Sequence, residues 1–317
     1  MGHALLLTVF LAYKAFLGDL MIGFVPQTAD LESLNSLYKV EEVDDEDISP
    51  YIISKDIQYI SPVIDSKSAI AVDLGTDKVL YSKDVYKKKQ IASITKLMTA
   101  ILVTEKLKLD DIIEITPDAT AVIGSRLSLG RGEKFTVESL LYAMLVHSAN
   151  DAAYALSVQA SGSEDTFVSE MNQKAKQLGL VNTSFGNSVG FDSSQNYSTA
   201  FEVYLLTKEF LKNPLLKEIV NTKEIKIKNL SGKEYDVKST NKNLDSFLKV
   251  RGVKTGTTDM AGQSLVNLIE NDKGKDIVVV LLDSPRRFEE AKILGEWCFR
   301  AYVWDQKKDI ATTIKKD

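Results

Sequence analysis

The spacing of apolar residues changes period along the chain. "AIAVDLGTDKVLYSKD" (69–84) reads as a strand, a glycine-containing turn and a second strand, the pattern of a β-hairpin. From about Ser93 to Lys106 the period lengthens, with Ile94, Leu97, Met98, Ala100 and Ile101 at helical spacing. A short strand, "IIEIT" (112–116), precedes helical patterns near 136–146, 149–160 and 164–178. "STAFEVYLLTKEFLKNP" (198–214) predicts another amphipathic helix, ended by its proline. The last third returns to strands: "TKEIKIKNL", "FLKVRGVKTGTT", "AGQSLVNLIEND" and "KDIVVVLLDS", before "RRFEEAKILGEWCFRAYVW" as a closing helix. Strands at both ends with helices between them predict an α+β fold: one antiparallel sheet built from both chain ends, plus a helical lobe.

Ahead of this pattern, residues 1–26 are apolar from Ala4 to Tyr13 and from Leu20 to Val25, interrupted by Lys14 and Asp19. A charge at a bilayer centre costs roughly 2.5–3.5 kcal/mol, so a signal peptide or N-terminal membrane anchor is expected rather than one clean spanning helix. Residues 27–63 include "EEVDDED" (41–47), six acids in seven positions, and read as a solvated acidic linker. The domain is expected over 64–305, with 306–317 a charged tail.

Charge and composition narrow the chemistry. The net charge of -5 is uneven, because residues 1–63 hold ten acids against three lysines. No concentrated basic face suggests a nucleic-acid partner. Cys298 is the only cysteine, which excludes an intrachain disulfide and a Cys-rich metal site; its apolar helical context predicts a buried, inert thiol. With His3 and His147 the only histidines, a His-rich metal centre is excluded too, and neither metal nor cofactor is expected.

One residue is discordant. In "IASITKLMTA" (91–100), Lys96 sits among core-like apolar positions, three residues after Ser93 and on the same helical face. Such a lysine either snorkels to water or stays inside, where desolvation lowers its pKa and makes it a usable base. Spacing alone does not decide: Ser-x-x-Lys recurs at Ser36/Lys39, Ser239/Lys242 and Ser246/Lys249, and Ser-x-Asn at Ser33, Ser148, Ser194 and Ser239. Context does discriminate. Only Ser93/Lys96 opens a strongly apolar helix, only Ser148-Ala149-Asn150 lies in a turn between two predicted helices, and Lys254-Thr255-Gly256 occurs once, on a strand after Gly252. His147 beside Ser148 offers no serine–histidine triad, since chain neighbours seldom face one another.

These three elements, in this order, resemble the penicillin-binding protein and serine β-lactamase superfamily. From about Ser68 to Trp304 the chain is similar to the low-molecular-mass D-alanyl-D-alanine carboxypeptidases of bacterial cell walls. The supporting segments are "GSRLSLGRGEKFTVESLLYAMLVHSANDAA", "KQLGLVNTSFGNSVGFD" with "NYSTA", "STNKNL" and "VKTGTTDMAGQSLV". The resemblance implies Ser93 as nucleophile, Lys96 as its base and Ser148 as a proton relay to the leaving amine. It implies Asn150, Lys254, Thr255, Gly256 and Thr257 in substrate binding, with Arg287, ten residues before Trp297, helping to hold the substrate carboxylate. Three departures stand out: Ala149 where glycine is usual, no histidine before the Gly-Leu-Asp-like "GFD", and no C-terminal β domain or terminal amphipathic helix, so that an N-terminal anchor would replace them.

The resulting expectation is an extracytoplasmic serine D-Ala-D-Ala carboxypeptidase, secreted or anchored through residues 1–26, that trims peptidoglycan stem peptides and is acylated by β-lactams. A class A β-lactamase is an alternative, but its deacylating glutamate has only "KEIVN" (217–221) as a match, with Glu218 and Asn221 misspaced. A catalytically silent envelope-binding protein of the same fold is another, resting on Ala149 and the missing histidine.

Overall fold

The computed structural model describes residues 51–306. The expected N-terminal segment at 1–26, the linker up to residue 50 and the tail from 307 lie outside the described residues. The chain runs through β1 (Tyr51–Lys55), β2 (Ser68–Asp73), β3 (Val79–Lys83) and β4 (Lys89–Gln90) into a 3₁₀ turn at Ala92–Thr95. The lobe that follows comprises α1 (Lys96–Lys106), β5 (Ile112–Glu114), α2 (Pro117–Ala121), β6 (Lys134–Thr136), α3 (Val137–Val146), α4 (Asn150–Ser161) and α5 (Glu164–Gln177). It continues with β7 (Tyr197–Ser198), α6 (Ala200–Leu211) and α7 (Pro214–Val220). The hairpin β8 (Glu224–Lys228) and β9 (Glu234–Lys238) leads to a second 3₁₀ turn, Lys242–Asp245. The chain closes with β10 (Lys249–Thr258), β11 (Gly262–Glu270), β12 (Asp276–Leu282), α8 (Arg287–Ala301) and β13 (Tyr302–Gln306).

The main sheet has the order β10-β11-β12-β2-β3 with every pair antiparallel, so the two ends of the chain meet where β12 pairs with β2. Its central strands are apolar on both faces, as strands covered on both sides must be. Ile70, Val72, Val278, Val280 and Leu282 face the core shared with the lobe helices, while Ala69, Ala71, Ile277, Val279 and Leu281 face Ala291, Leu294, Cys298 and Ala301 of α8. Gly295 of α8 faces Ile269 of β11, where a Cβ would stand 2.7 Å from Ile269 Cδ1 and would require that side chain to turn aside. Burial raises the Cys298 thiol pKa, in keeping with the expected inert residue.

Three local expectations change. The linker was expected to reach residue 63, but Tyr51–Lys55 forms β1, paired antiparallel with β13. Ile53 is buried there, and Trp304 on β13 donates through Nε1 to Asp73 at 2.8 Å; this contact is non-local, so the acidic run just before it masked the strand. Pro214 starts a helix as well as following one: Asn213 caps α7 by accepting from the Leu215 N–H at 3.0 Å, and proline at the first helical position needs no N–H partner. The strands "EYDVK" and "YVWDQ" (β9 and β13) are additions to the expected set.

A buried carboxylate ties the segment before β2 to α8. Glu290, 1% exposed, accepts from the N–H groups of Asp65 and Ser66 and from the hydroxyls of Ser66 and Ser284. Burial would raise its pKa, but these donors hold it below the usual carboxylate value. A depressed carboxyl contributes stability that is present above its unfolded pKa of about 4.3 and lost as pH falls through the folded value. Glu290→Gln, which turns an amide nitrogen toward donors, is expected to cost about 1–3 kcal/mol of unfolding free energy at neutral pH. The deficit should shrink in acid, as measured by urea titration at both pH values.

Candidate active site

The chain enters α1 through the 3₁₀ turn Ala92–Thr95, so the α-helix proper begins at Lys96 rather than Ser93. Side chains three apart eclipse in a 3₁₀ turn, which aligns Ser93 and Lys96. Lys96 Nζ lies 3.0 Å from Ser93 Oγ, donates to Asn150 Oδ1 at 2.7 Å and donates to the Val189 carbonyl at 2.6 Å. Lys96 is fully buried. Burial and then the Lys254 charge push its pKa well below the ordinary lysine value, against the opposing pull of Asp151. A neutral amine has two hydrogens and one lone pair. In that form the two carbonyl-type oxygens would take the hydrogens, and the lone pair would face the Ser93 hydroxyl. Among the described residues, no hydrogen-bond partner of Lys96 is a carboxylate.

Asn150 opens α4, and its amide is oriented from behind. Its Nδ2 donates to the Ile123 carbonyl at 2.7 Å and its backbone N–H donates to the Ser125 carbonyl at 2.7 Å. That leaves Oδ1 for Lys96. Asp151 holds the same loop by accepting from the N–H groups of Leu127 and Leu129 at 3.3 and 3.1 Å.

The second lysine arrives on β10. Lys254, 1% exposed, donates to Ser148 Oγ at 2.8 Å and to the Thr255 carbonyl at 3.1 Å. Burial and then the Arg287 charge lower its pKa to about 7. Arg287 donates through Nη1 to the Gly256 carbonyl and to Thr257 Oγ1, both at 2.6 Å, so it reaches the strand while Arg286 pairs outward with Asp65.

Two glycines let the backbone close around Ser93. A Cβ at Gly190, where φ is +91°, would stand 2.1 Å from the Ala92 carbonyl oxygen, and one at Gly256 would stand 2.9 Å from the Ile91 oxygen and 3.1 Å from the Ser93 nitrogen. Ala92 itself takes φ +48°.

A family model described as D-alanyl-D-alanine carboxypeptidase matches residues 56–285. The chain belongs to that family. It is 34% identical over 234 residues to the D-alanyl-D-alanine carboxypeptidase DacF of Bacillus subtilis, covering 72% of this chain and 60% of that protein. A D-alanyl-D-alanine endopeptidase of Escherichia coli is 34% identical over 252 residues, 74% of this chain and 78% of that one. Among solved structures, a Streptomyces DD-transpeptidase superposes with a TM-score of 0.73 at 30% identity, covering 76% of this chain and 99% of that chain. The chain spans 60–65% of the length of three curated carboxypeptidase relatives. The α+β fold is therefore that of the penicillin-binding DD-peptidases.

The tertiary structure gathers the candidates into two linked groups: Ser93, Lys96 and Asn150 joined by hydrogen bonds, and Ser148 and Lys254 joined by another. Thr255 is buried beside them, whereas Thr257 is exposed farther along β10 and meets Arg287. His147 Nδ1 is buried without a hydrogen-bond partner among the described residues.

Both local departures from the carboxypeptidase family pattern are accommodated by backbone. The position before Gly190 is Val189 rather than histidine, yet the contact it makes with Lys96 is through its carbonyl, which any residue supplies. Ala149 has φ -62°, so its methyl group is not strained; the left-handed residue of this turn is Ser148, at φ +65°. Sequence reasoning missed the carbonyls of Val189, Ile123 and Ser125, which carry no side-chain signal. It also missed Thr240, whose hydroxyl lies 2.6 Å from that of Thr255, although "STNKNL" marks the segment. Ala149→Gly, the usual family residue, is expected to leave penicillin acylation within twofold and to cost about 0.5–1 kcal/mol of stability by freeing the unfolded chain. Acylation kinetics and thermal denaturation measure the two quantities.

Proposed function

We propose that the protein is a serine D-Ala-D-Ala carboxypeptidase of the cell envelope, removing the terminal D-alanine from peptidoglycan stem peptides. The observation that carries this reading is that Lys96 is buried with uncharged hydrogen-bond partners, two carbonyl oxygens and one hydroxyl at its amine. A serine hydroxyl needs such a base to attack a carbonyl at neutral pH.

In the proposed reaction the Ser93 proton moves to Lys96 Nζ as Oγ bonds to the penultimate D-alanine carbonyl. The N–H groups of Ser93 and Thr257 stabilise the oxyanion. The C–N bond then breaks, Ser148 gives its proton to the leaving nitrogen, and Lys96 replaces it with the proton taken from Ser93, so that the amine is neutral again. Water, deprotonated by Lys96, hydrolyses the ester and returns the proton to Ser93. Asn150 orients the substrate amide, and Lys254, Thr255 and Arg287 provide the cationic end of the pocket for the terminal carboxylate.

The neutral partners of Lys96 argue against a class A β-lactamase, which needs a carboxylate to drive deacylation. The complete set of partners argues against a silent binding protein. Export, with anchoring through residues 1–26, accords with this substrate; no helix among the described residues is long and apolar enough to cross a membrane.

Mass spectrometry after penicillin treatment is expected to find a stable adduct on Ser93. Ser93→Ala should lose the adduct and D-alanine release from a pentapeptide. Lys96→Arg, which keeps charge but cannot serve as base, should slow acylation about 10²–10⁴-fold. Rapid β-lactam turnover without an adduct, or undiminished D-alanine release by Ser93→Ala, would reject the reading. Lys254, with a pKa of about 7, is cationic below that pH and neutral above it. Capture of a carboxylate should therefore weaken as pH rises through about 7, read as a rising KM in a pH series.

A further inference from the structure

The segment between β9 and β10 touches each wall of the site. Thr240 N–H donates to the Val146 carbonyl at 3.2 Å, two residues before Ser148. Asn241 Nδ2 donates to Asn267 Oδ1 of β11 at 2.8 Å, and Asn243 Nδ2 donates to the Phe288 carbonyl, next to Arg287, at 3.0 Å. Thr240 is pinned by its own backbone and by the buried asparagines that follow it. Its Oγ1 lies 2.6 Å from Thr255 Oγ1.

Resting on the carboxypeptidase reading above, we infer that Thr240 is a positioning residue that sets the direction of the Thr255 hydroxyl and so tunes selection for a ligand bearing a terminal carboxylate. Each hydroxyl has one hydrogen. With the pocket empty, either oxygen of the pair can donate to the other. A carboxylate accepts only, so Thr255 must then donate outward and accept from Thr240. The Thr240 hydroxyl supplies the hydrogen that satisfies Thr255, and the two bonds in series polarise one another. A methyl group in place of the Thr240 hydroxyl leaves Thr255 with one bond fewer. A neutral amide, which can also donate, gains less from this arrangement.

The test compares acylation of Ser93 by benzylpenicillin and by its primary carboxamide, as second-order rate constants for wild type, Thr240→Val and Thr240→Ser. Wild type should prefer the carboxylate. Thr240→Val, close in shape to threonine, should slow the carboxylate reaction about five- to tenfold and the carboxamide reaction no more than about twofold. Thr240→Ser should behave as wild type. Equal slowing of both ligands by Thr240→Val would indicate only a packing role and overturn the inference, as would an unchanged preference, or a serine variant as poor as the valine one. Failure of the wild type to form any adduct at Ser93 is a separate result, which removes the carboxypeptidase reading itself.

Discussion

The site depends on keeping one lysine dry. A charged ammonium taken out of water is costly unless it is paired, and Lys96 finds no carboxylate among its hydrogen-bond partners, only two carbonyl oxygens and a hydroxyl. The neighbouring charge of Lys254 adds to the desolvation. The lowered basicity of Lys96 is thus a property of the packed structure, and its amine stands 3.0 Å from the Ser93 hydroxyl. Each surrounding element contributes one constraint: α4 brings Asn150, the loop before β7 brings the Val189 carbonyl, and β10 brings the second lysine.

That assembly is held partly against local preference. Ala92 and Ser148 both adopt left-handed backbone, a conformation costing of order 1–3 kcal/mol for a non-glycine residue. Each flanks a side chain of the site or carries one. The conformations persist because the surroundings leave no alternative: Gly190 and Gly256 close on the Ala92–Ser93 backbone, and Ser148 lies between two buried helices and is held by Lys254. The sheet behind β10, covered by α8 on one face and the lobe on the other, gives these contacts a stiff base.

The same arrangement explains which family differences matter little. Where the contact is made by a carbonyl, as at Val189, the side chain is free to vary. Where the backbone is right-handed or extended, as at Ala149, a methyl group costs nothing that glycine would save. The relatives that share this fold carry the names carboxypeptidase, endopeptidase and transpeptidase.

Sequence alone determined a good part of this. The apolar runs of β2 and β12 and the helical spacing after Ser93 were legible because each pattern is local, set by which face of its own element is buried. The order Ser93-Lys96, Ser148-Asn150, Lys254-Gly256 was legible as a resemblance, since residue types and spacing survive in the letters. Strands β1 and β13 were not legible, because each is stabilised by the other from the opposite end of the chain. Nor were the oxygens of Val189, Ile123 and Ser125, which belong to the backbone that every residue has, or the pairing of Thr240 with Thr255. The state of Lys96 shows the division most clearly. Its letter and its apolar neighbours permitted either a snorkelling cation or a buried amine. Only the tertiary structure, by closing α4, the Val189 loop and β10 around it, put the side chain inside and lowered its pKa.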